Sequence, residues 1–123
     1  ARLISIIHPQ AIVSPYASIG LGCVVFAGAV VNAFTSLGEA VIINTGASID
    51  HDCVLSDGVH ICPGTRLAGN VSVGEASWIG IGSSVIQQVE IANNVLIGAG
   101  SVVVRNIEQS GTYFGSPAKF VKN

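Results

Sequence analysis

Residues 19–55 read IGLGCV-VFAGAV-VNAFTS-LGEAVI-INTGAS-IDHDCV-L, and every block of six begins with an aliphatic residue. The same spacing extends in both directions over seventeen consecutive positions: Ile7, Val13, Ile19, Val25, Val31, Leu37, Ile43, Ile49, Leu55, Ile61, Leu67, Val73, Ile79, Val85, Ile91, Ile97 and Val103. If each position had a one-in-three chance of being aliphatic, such a run would arise by coincidence with a probability of about 10⁻⁸. The chain is therefore built on a six-residue repeat.

A period of six corresponds to a short strand followed by a corner. Side chains alternate along a strand, so the residues two places before each aliphatic position also point inward. Those residues are mostly small or β-branched: Ala17, Cys23, Ala29, Thr35, Val41, Ala47, Cys53, Val59 and Thr65. Three such sides close a triangular coil of 18 residues, and successive coils pair in parallel about 4.8 Å apart. The sequence thus predicts an all-β chain, a parallel β-helix of about five 18-residue coils, whereas a helical period of 3.6 does not fit.

The 18-residue register also sorts the residues that point outward. One corner carries a glycine in each coil, which indicates positive φ or close backbone approach: Gly28, Gly46, Gly64, Gly82 and Gly100. The side that precedes this corner has an apolar outer column: Val24, Ile42, His60, Trp78 and Leu96. The outer columns of the other two sides are mixed or polar. An apolar exterior beside a glycine corner indicates a subunit interface, a ligand groove, or both.

The hexad stops at Arg105, which divides the chain into a β-helix over residues 1–104 and a tail over residues 105–123. The tail contains a polar turn at Ser110–Gly111 and the segment Gly115-Ser-Pro-Ala-Lys119. We expect it to cap the open end of the coil, as the terminal repeats of solenoids do.

Composition narrows the possible partners. Only 12 of 123 residues are charged, against about 25% in an ordinary domain, so other copies of the chain are expected to cover part of the surface. The net charge of −2 gives no electrostatic footprint for nucleic acid or an anionic membrane, and no apolar run approaches the ~20 residues of a membrane helix. Cys23, Cys53 and Cys62 cannot all pair and lack metal-ligand spacing, so reduced thiols in a cytoplasmic protein are expected.

Two of the three histidines are candidates for chemistry. His51 lies on a corner between Asp50 and Asp52. A carboxylate beside an imidazole favours its protonated form and fixes its tautomer, which suits a general base, although a polar corner without a role is equally possible. His60 lies in the apolar column, where a histidine is either a packed residue or a ligand contact. No role is assigned to His8.

The register places His51 and His60 on opposite sides of one triangle. His51 is on the corner between sides 47–50 and 53–56, and His60 is on side 59–62, across a core of roughly 10 Å or more. Within one chain they cannot contact the same substrate. If they belong to one site, that site lies between neighbouring chains.

Several segments resemble a known family: Asn44-Thr-Gly-Ala-Ser-Ile-Asp-His-Asp-Cys-Val54, Val59-His-Ile-Cys-Pro-Gly64, Ala68-Gly-Asn70, Trp78-Ile-Gly-Ile-Gly82 and Gly115-Ser-Pro-Ala-Lys119. They are similar to the β-helical half of the sialic acid O-acetyltransferase and sugar-nucleotide N-acetyltransferase family, over nearly the whole chain. The resemblance implies a left-handed coil, opposite to the usual right-handed crossover. It also implies a cytoplasmic homotrimer with active sites between subunits, and acetyl-CoA as co-substrate without a metal.

The resemblance further implies roles for individual residues. His51 is the base, Asp52 orients it although some relatives carry glutamate there, and the main-chain N–H of Gly69 holds the oxyanion. The residues expected to contact acetyl-CoA are His60, Gly80, Ile81, Gly98 and Ala99. In the tail, Pro117 and Lys119 are expected beside the glycine corner, with Lys119 meeting a phosphate as a point charge.

These features favour an acetyltransferase that acts on an amine or hydroxyl of a sugar or sugar nucleotide. Members of the family carry an N-terminal nucleotide-binding domain with a Gly-rich loop. The printed chain has no such segment, so it is expected either to be part of a longer protein or to hold its acceptor differently. The alternatives are acetyl transfer to serine or another small molecule, a non-catalytic trimeric β-helix, and a metal lyase of the γ-carbonic anhydrase kind, which needs three histidine ligands.

Overall fold

The computed structural model describes residues 4–123; residues 1–3 of the predicted β-helix lie outside the described residues. All regular structure in residues 4–123 is β-strand. The strands are β1 Ile6–Ile7, β2 Ile12–Val13, β3 Ser18–Ile19, β4 Val24–Val25, β5 Val30–Val31, β6 Ser36–Leu37, β7 Ile42–Ile43, β8 Ser48–Ile49, β9 Val54–Leu55, β10 His60–Ile61, β11 Arg66–Leu67, β12 Ser72–Val73, β13 Trp78–Ile79, β14 Ser84–Val85, β15 Glu90–Ile91, β16 Val95–Ile97, β17 Val102–Val103, β18 Gly111–Gly115 and β19 Ala118–Lys122.

Strands β1–β17 stack into the three parallel sheets of a left-handed β-helix with about six turns, slightly more than the five coils expected. Sheet A contains β1, β4, β7, β10, β13 and β16; sheet B contains β2, β5, β8, β11, β14 and β17; sheet C contains β3, β6, β9, β12 and β15. Each residue pairs with the residue 18 further along, as His60 does with Trp78. The three corners are named after the sheets they join: A/B, B/C and C/A.

The hexad column forms the core, as the sequence predicts. From Val25 to Val103 every residue of this column is buried. The second inward column is also buried from Cys23 onward. The first coil is more open, since Ile7 is exposed and Val13 and Ile19 are only partly buried.

Buried hydroxyls tie successive corners together. The Ser77 hydroxyl donates to the carbonyl of Ala92 (2.9 Å) and accepts the N–H of Val95 (3.0 Å). Ser5, Thr35 and Ser83 make the same pair of contacts, to residues 15 and 18 further along. Each hydroxyl thus satisfies a donor and an acceptor that the corner would otherwise leave unpaired in the core.

The three cysteines are part of the buried core and form no disulfide bond with one another. Cys23, Cys53 and Cys62 are all free and buried. The Cys53 thiol donates to the carbonyl of Ala68 (3.2 Å). Burial raises the pKa of both Cys53 and Cys62, which keeps these thiols protonated at neutral pH.

The tail continues sheet A beyond the last coil. Strand β18 pairs in parallel with β16, and β19 folds back antiparallel on β18. Before the hairpin, Ile107 forms a bridge with Ile91 at the end of sheet C and is buried. Tyr113 packs against the core from the hairpin. No helix in residues 4–123 is long and apolar enough to cross a membrane.

Replacing Ser77 by alanine should lower the free energy of unfolding by about 2 kcal/mol, because one buried carbonyl and one buried N–H lose their partner. Ser36→Ala is the matched control, since Ser36 is exposed on sheet C; it should change stability by less than about 0.5 kcal/mol. Chemical denaturation followed by circular dichroism measures both. Equal stabilities for the two variants would contradict the bridging role of the buried hydroxyl.

Candidate functional site

The B/C corner holds a paired histidine and aspartate. The Nδ1 atom of His51 lies 2.9 Å from Oδ2 of Asp52, and about half of each side chain is exposed. A carboxylate only accepts, so the contact places the ring proton on Nδ1 and leaves Nε2 as the basic nitrogen. Asp52 reaches the ring from the left-handed region (φ 57°), a conformation that aspartate tolerates better than most residues.

Asp50 has a structural part at the same corner. Its Oδ1 accepts the main-chain N–H of His51 (2.8 Å) and the side-chain amide of Asn32 in the preceding coil (3.2 Å). Asp50 therefore fixes the corner backbone, and of these two carboxylates it is Asp52 that hydrogen-bonds to the imidazole. The sequence analysis identified both carboxylates as neighbours of His51, but it did not distinguish the backbone contact of Asp50 from the imidazole contact of Asp52.

Gly69 lies directly under the His51 ring, one coil further along. A side chain at this position would begin 2.6 Å from Nε2 of His51, so only glycine fits there without moving the ring. The main-chain N–H of His51 is capped by the side chain of the preceding residue, Asp50. The residue before Gly69 is Ala68, which has no side-chain acceptor and cannot cap the Gly69 N–H in the same way. Within residues 4–123 the Gly69 N–H has no hydrogen-bond partner. A basic nitrogen and a free N–H donor are thus held side by side.

His60 lies on sheet A in a different environment. Its Nε2 is 3.2 Å from the Asn44 side-chain amide, whose oxygen accepts the N–H of Thr45 (2.8 Å). That second contact fixes Asn44 as the donor, so Nε2 of His60 is unprotonated and Nδ1 carries the proton. The Trp78 ring is tilted against the imidazole with centroids 4.3 Å apart. The sequence analysis did not single out Asn44, although the 18-residue register places it beside Cys62, two residues from His60.

The glycine corner is the A/B corner, and it forms an open edge. All five glycines have positive φ, as the sequence predicts, and at Gly46, Gly64, Gly82 and Gly100 no atom lies within 4 Å of where a side chain would begin. Three N–H groups on this edge, those of Ala27, Ile81 and Ala99, have no partner within residues 4–123, and the last two lie in the C-terminal coils beside Gly80 and Gly98. By contrast, Gly80 and Gly98 have both main-chain groups engaged inside the protein.

The tail reaches this edge through an aromatic residue that the sequence analysis did not single out. The Phe114 ring lies over Gly98, with Cδ1 2.6 Å from where a side chain would begin. Lys119 is directly opposite Phe114 in the β18–β19 pair, so the two side chains lie on the same face of the hairpin. Pro117 is exposed in the turn between these strands, after a cis peptide bond with Ser116. Phe114 and Lys119 thus flank the end of the glycine corner.

These groups form two separate half-sites in one chain. His51, Asp52 and Gly69 lie on the B/C corner, whereas His60 and the A/B edge lie on and beside sheet A, which is opposite that corner. The core between them is roughly 10 Å thick. The described part of the chain contains no group of three or more His, Cys, Asp or Glu side chains arranged to hold a metal ion.

Known proteins share both the repeat and the fold. Residues 70–105 match the bacterial transferase hexapeptide family (six repeats). The acetyltransferase domain of PglB from Neisseria gonorrhoeae FA1090 superposes with a TM-score of 0.96 at 48% identity, over 98% of this chain and 58% of that chain. The chain therefore shares the hexapeptide repeat over residues 70–105 and the fold of this acetyltransferase domain over nearly its whole length. PerB from Caulobacter crescentus, crystallised with CoA and GDP-perosamine, gives a TM-score of 0.96 at 46% identity over 98% and 58% of the two chains.

At lower sequence identity the likeness is one of fold alone. The N-acyltransferase AntD from Bacillus cereus, in a complex of its variant with dTDP and coenzyme A, superposes with a TM-score of 0.89 at 17% identity, over 96% of this chain and 79% of that chain. The PglB domain has also been crystallised with acetyl coenzyme A. The chain spans 58% of the length of the PglB and PerB structures. No protein among the curated sequences matches it.

The environment of His60 predicts a pH dependence. Burial lowers the pKa of His60 below its ordinary value of 6.5, because desolvation penalises the charged form. The unfolded chain then binds this proton at a higher pH than the folded chain. The contribution to stability is therefore fully present above pH 6.5 and is lost as the pH falls through the lowered pKa.

An NMR titration of the imidazole Cε1–H signals, assigned with His60→Gln, should give a midpoint below 6.5 for His60. In the same range the melting temperature of the wild type should fall more steeply with acid than that of His60→Gln. A midpoint at or above 6.5 would contradict the buried, neutral imidazole.

Proposed function

We propose that this chain transfers an acetyl group from acetyl-CoA to an amine or hydroxyl of a sugar or sugar nucleotide, with His51 as the general base. The observation that carries the proposal is the B/C corner, where the basic Nε2 of His51 lies beside the free N–H of Gly69. Acyl transfer requires these two groups together, a base for the incoming nucleophile and a donor for the oxyanion.

His51 acts on the acceptor proton. Its Nε2 removes the proton from the amine or hydroxyl while that atom attacks the thioester carbonyl carbon. Asp52 holds the proton of Nδ1 and stabilises the imidazolium that forms. When the carbon–sulfur bond breaks, the imidazolium returns the proton to the departing sulfur, and His51 is again neutral.

Gly69 acts on the charge that develops at the carbonyl oxygen. Its N–H, which has no partner within residues 4–123, is proposed to donate to the oxyanion of the tetrahedral intermediate. Losing one such donor in other enzymes costs about 10²–10³ in kcat. The close approach of the His51 ring to Gly69 brings the two catalytic groups within reach of a single carbonyl.

The A/B edge and the tail are proposed to hold acetyl-CoA. The free N–H groups of Ile81 and Ala99 suit the amide carbonyls of the pantetheine, and His60 offers Nδ1–H as a further donor. Gly80 and Gly98 contribute by leaving the edge unobstructed rather than by hydrogen bonds. Lys119 and Phe114 suit a phosphate and the adenine respectively, with Pro117 shaping the turn between their strands.

A complete site then needs two chains, and we propose a homotrimer. The outer face of sheet A carries Ile42, His60, Trp78 and Leu96, and Trp78 is 47% exposed in the single chain. Packing this apolar face near the B/C corner of a neighbour would cover it and bring acetyl-CoA to His51. The two half-sites that one chain separates would meet at each of three interfaces.

The choice of a sugar acceptor rests on the relatives. PerB is crystallised with GDP-perosamine, and a related structure from Caulobacter crescentus is described as GDP-perosamine N-acetyl transferase. At 44–48% identity over almost the whole chain, an amino sugar carried on a nucleotide is the acceptor class with most support.

Replacing His51 by alanine should lower kcat by about 10²–10⁴, the usual contribution of a general base. Binding of acetyl-CoA should change little, because its proposed contacts lie on the A/B edge. His8→Ala is the matched control, since His8 is an exposed corner histidine in the first coil. Steady-state kinetics with GDP-perosamine, together with calorimetric titration of CoA, separate the two effects. Full activity in His51→Ala would remove it as the base.

A further inference from the structure

Two exposed aromatic rings lie on the same corner as His51 and Asp52. Tyr16 and Phe34 stack with ring centroids 5.7 Å apart and planes 27° from parallel. Phe34 is one coil before Asp52 in the same column, and Tyr16 is one coil before Phe34. With coils about 4.8 Å apart, the pair lies roughly 5 to 10 Å from the base, on its N-terminal side and thus on the side away from Gly69.

These rings are unusual for their positions. Phe34 is 65% exposed and Tyr16 is 69% exposed. Phe34 also adopts φ 62°, a conformation that bulky residues rarely take, whereas the later residues of this column are the polar Asp52, Asn70 and Gln88. Within residues 4–123 the Tyr16 hydroxyl has no hydrogen-bond partner. The first two coils thus present an apolar surface with a free polar group at one end.

The His51 ring determines which side of the base is open. It lies against Gly69, so the proposed oxyanion donor, and with it the proposed place of the thioester, is on its C-terminal side. On the N-terminal side, the residue one coil before His51 is the small Ala33, whose carbonyl accepts the N–H of Asp52 (3.1 Å). The short side chain of Ala33 therefore leaves the N-terminal side of the His51 ring less crowded than a larger residue would, and Phe34 is next to it in the chain.

We propose that the Tyr16–Phe34 pair is the subsite for the acceptor sugar ring. A pyranose presents C–H bonds on one face and hydroxyls at its edge, which match an aromatic surface with a free phenol beside it. An amine on that ring reaches Nε2 of His51 from the open side, while the acetyl group arrives from the side of Gly69. This inference rests on the proposed acetyl transfer.

The test uses Phe34→Asn, because asparagine tolerates the left-handed backbone and removes the ring. With GDP-perosamine as acceptor, the KM for the sugar nucleotide should rise about 3- to 10-fold, the range of aromatic contact energies. The KM for acetyl-CoA should stay within about two-fold. Ala40→Asn is the matched control on the C/A corner, at φ 56°, and should leave both constants unchanged. Phe34→Tyr keeps the ring and should restore the acceptor KM.

Repeating the measurement with the methyl glycoside of perosamine identifies the part of the acceptor that is bound. The same fold-change is expected, because the contact is with the sugar. An effect seen only with GDP-perosamine would overturn the proposal in favour of base stacking. An unchanged acceptor KM would overturn it outright, as would a change in oligomeric state, which would make the pair a packing surface. If the wild type transfers no acetyl group to either probe, the proposed function fails together with this subsite.

Discussion

From the second coil onward, each strand residue of the coil pairs with the residue eighteen places before it, and the rest of the structure depends on this stacking. It follows from the hexad, which requires an inward aliphatic side chain on each of three sides. Parallel pairing then fixes the register, so that residues eighteen apart in the sequence lie next to one another in one column on the surface. Where two residues eighteen apart differ in type, the side chains on one edge therefore change from one coil to the next.

The candidate site arises from such differences. On the B/C corner Asp50 caps the N–H of His51, whereas within residues 4–123 the N–H groups of Ala33, Gly69 and Gln87 have no partner, and Gly69 is the one that the His51 ring lies against. On the A/B edge Asn44 caps Thr45 and Pro63 has no N–H, whereas the N–H groups of Ala27, Ile81 and Ala99 have no partner in the described part of the chain. The candidate site therefore lies where His51 and Gly69 depart from the other residues of their column, on a regular scaffold that fixes their spacing.

Much of this could be predicted from the sequence, because period six and period eighteen carry the fold. The core columns, the positive φ of the glycine corner and the positions of His51 and His60 on opposite sides all agree with the structure. The contacts of individual side chains could not be predicted in the same way. Asp50 and Asp52 make different hydrogen bonds, and Asn44 hydrogen-bonds to His60. These contacts depend on side-chain rotamers, which the 18-residue register does not determine. The hairpin of β18 and β19 lies beyond the six-residue repeat. Its pairing, and the position of Phe114 over Gly98, therefore could not be predicted from the repeat.

The central claim is that His51 of one chain and His60 of another serve one site, because one coil holds them on opposite sides. Mixed trimers of His51→Ala and His60→Ala, isolated through different tags and assayed at acetyl-CoA concentrations below KM, test it most directly. In a cyclic trimer every mixed assembly regains one intact site of three, so activity of about one third of the wild type is predicted. Mixed trimers no more active than the two parent variants would show that the histidines do not act together across an interface.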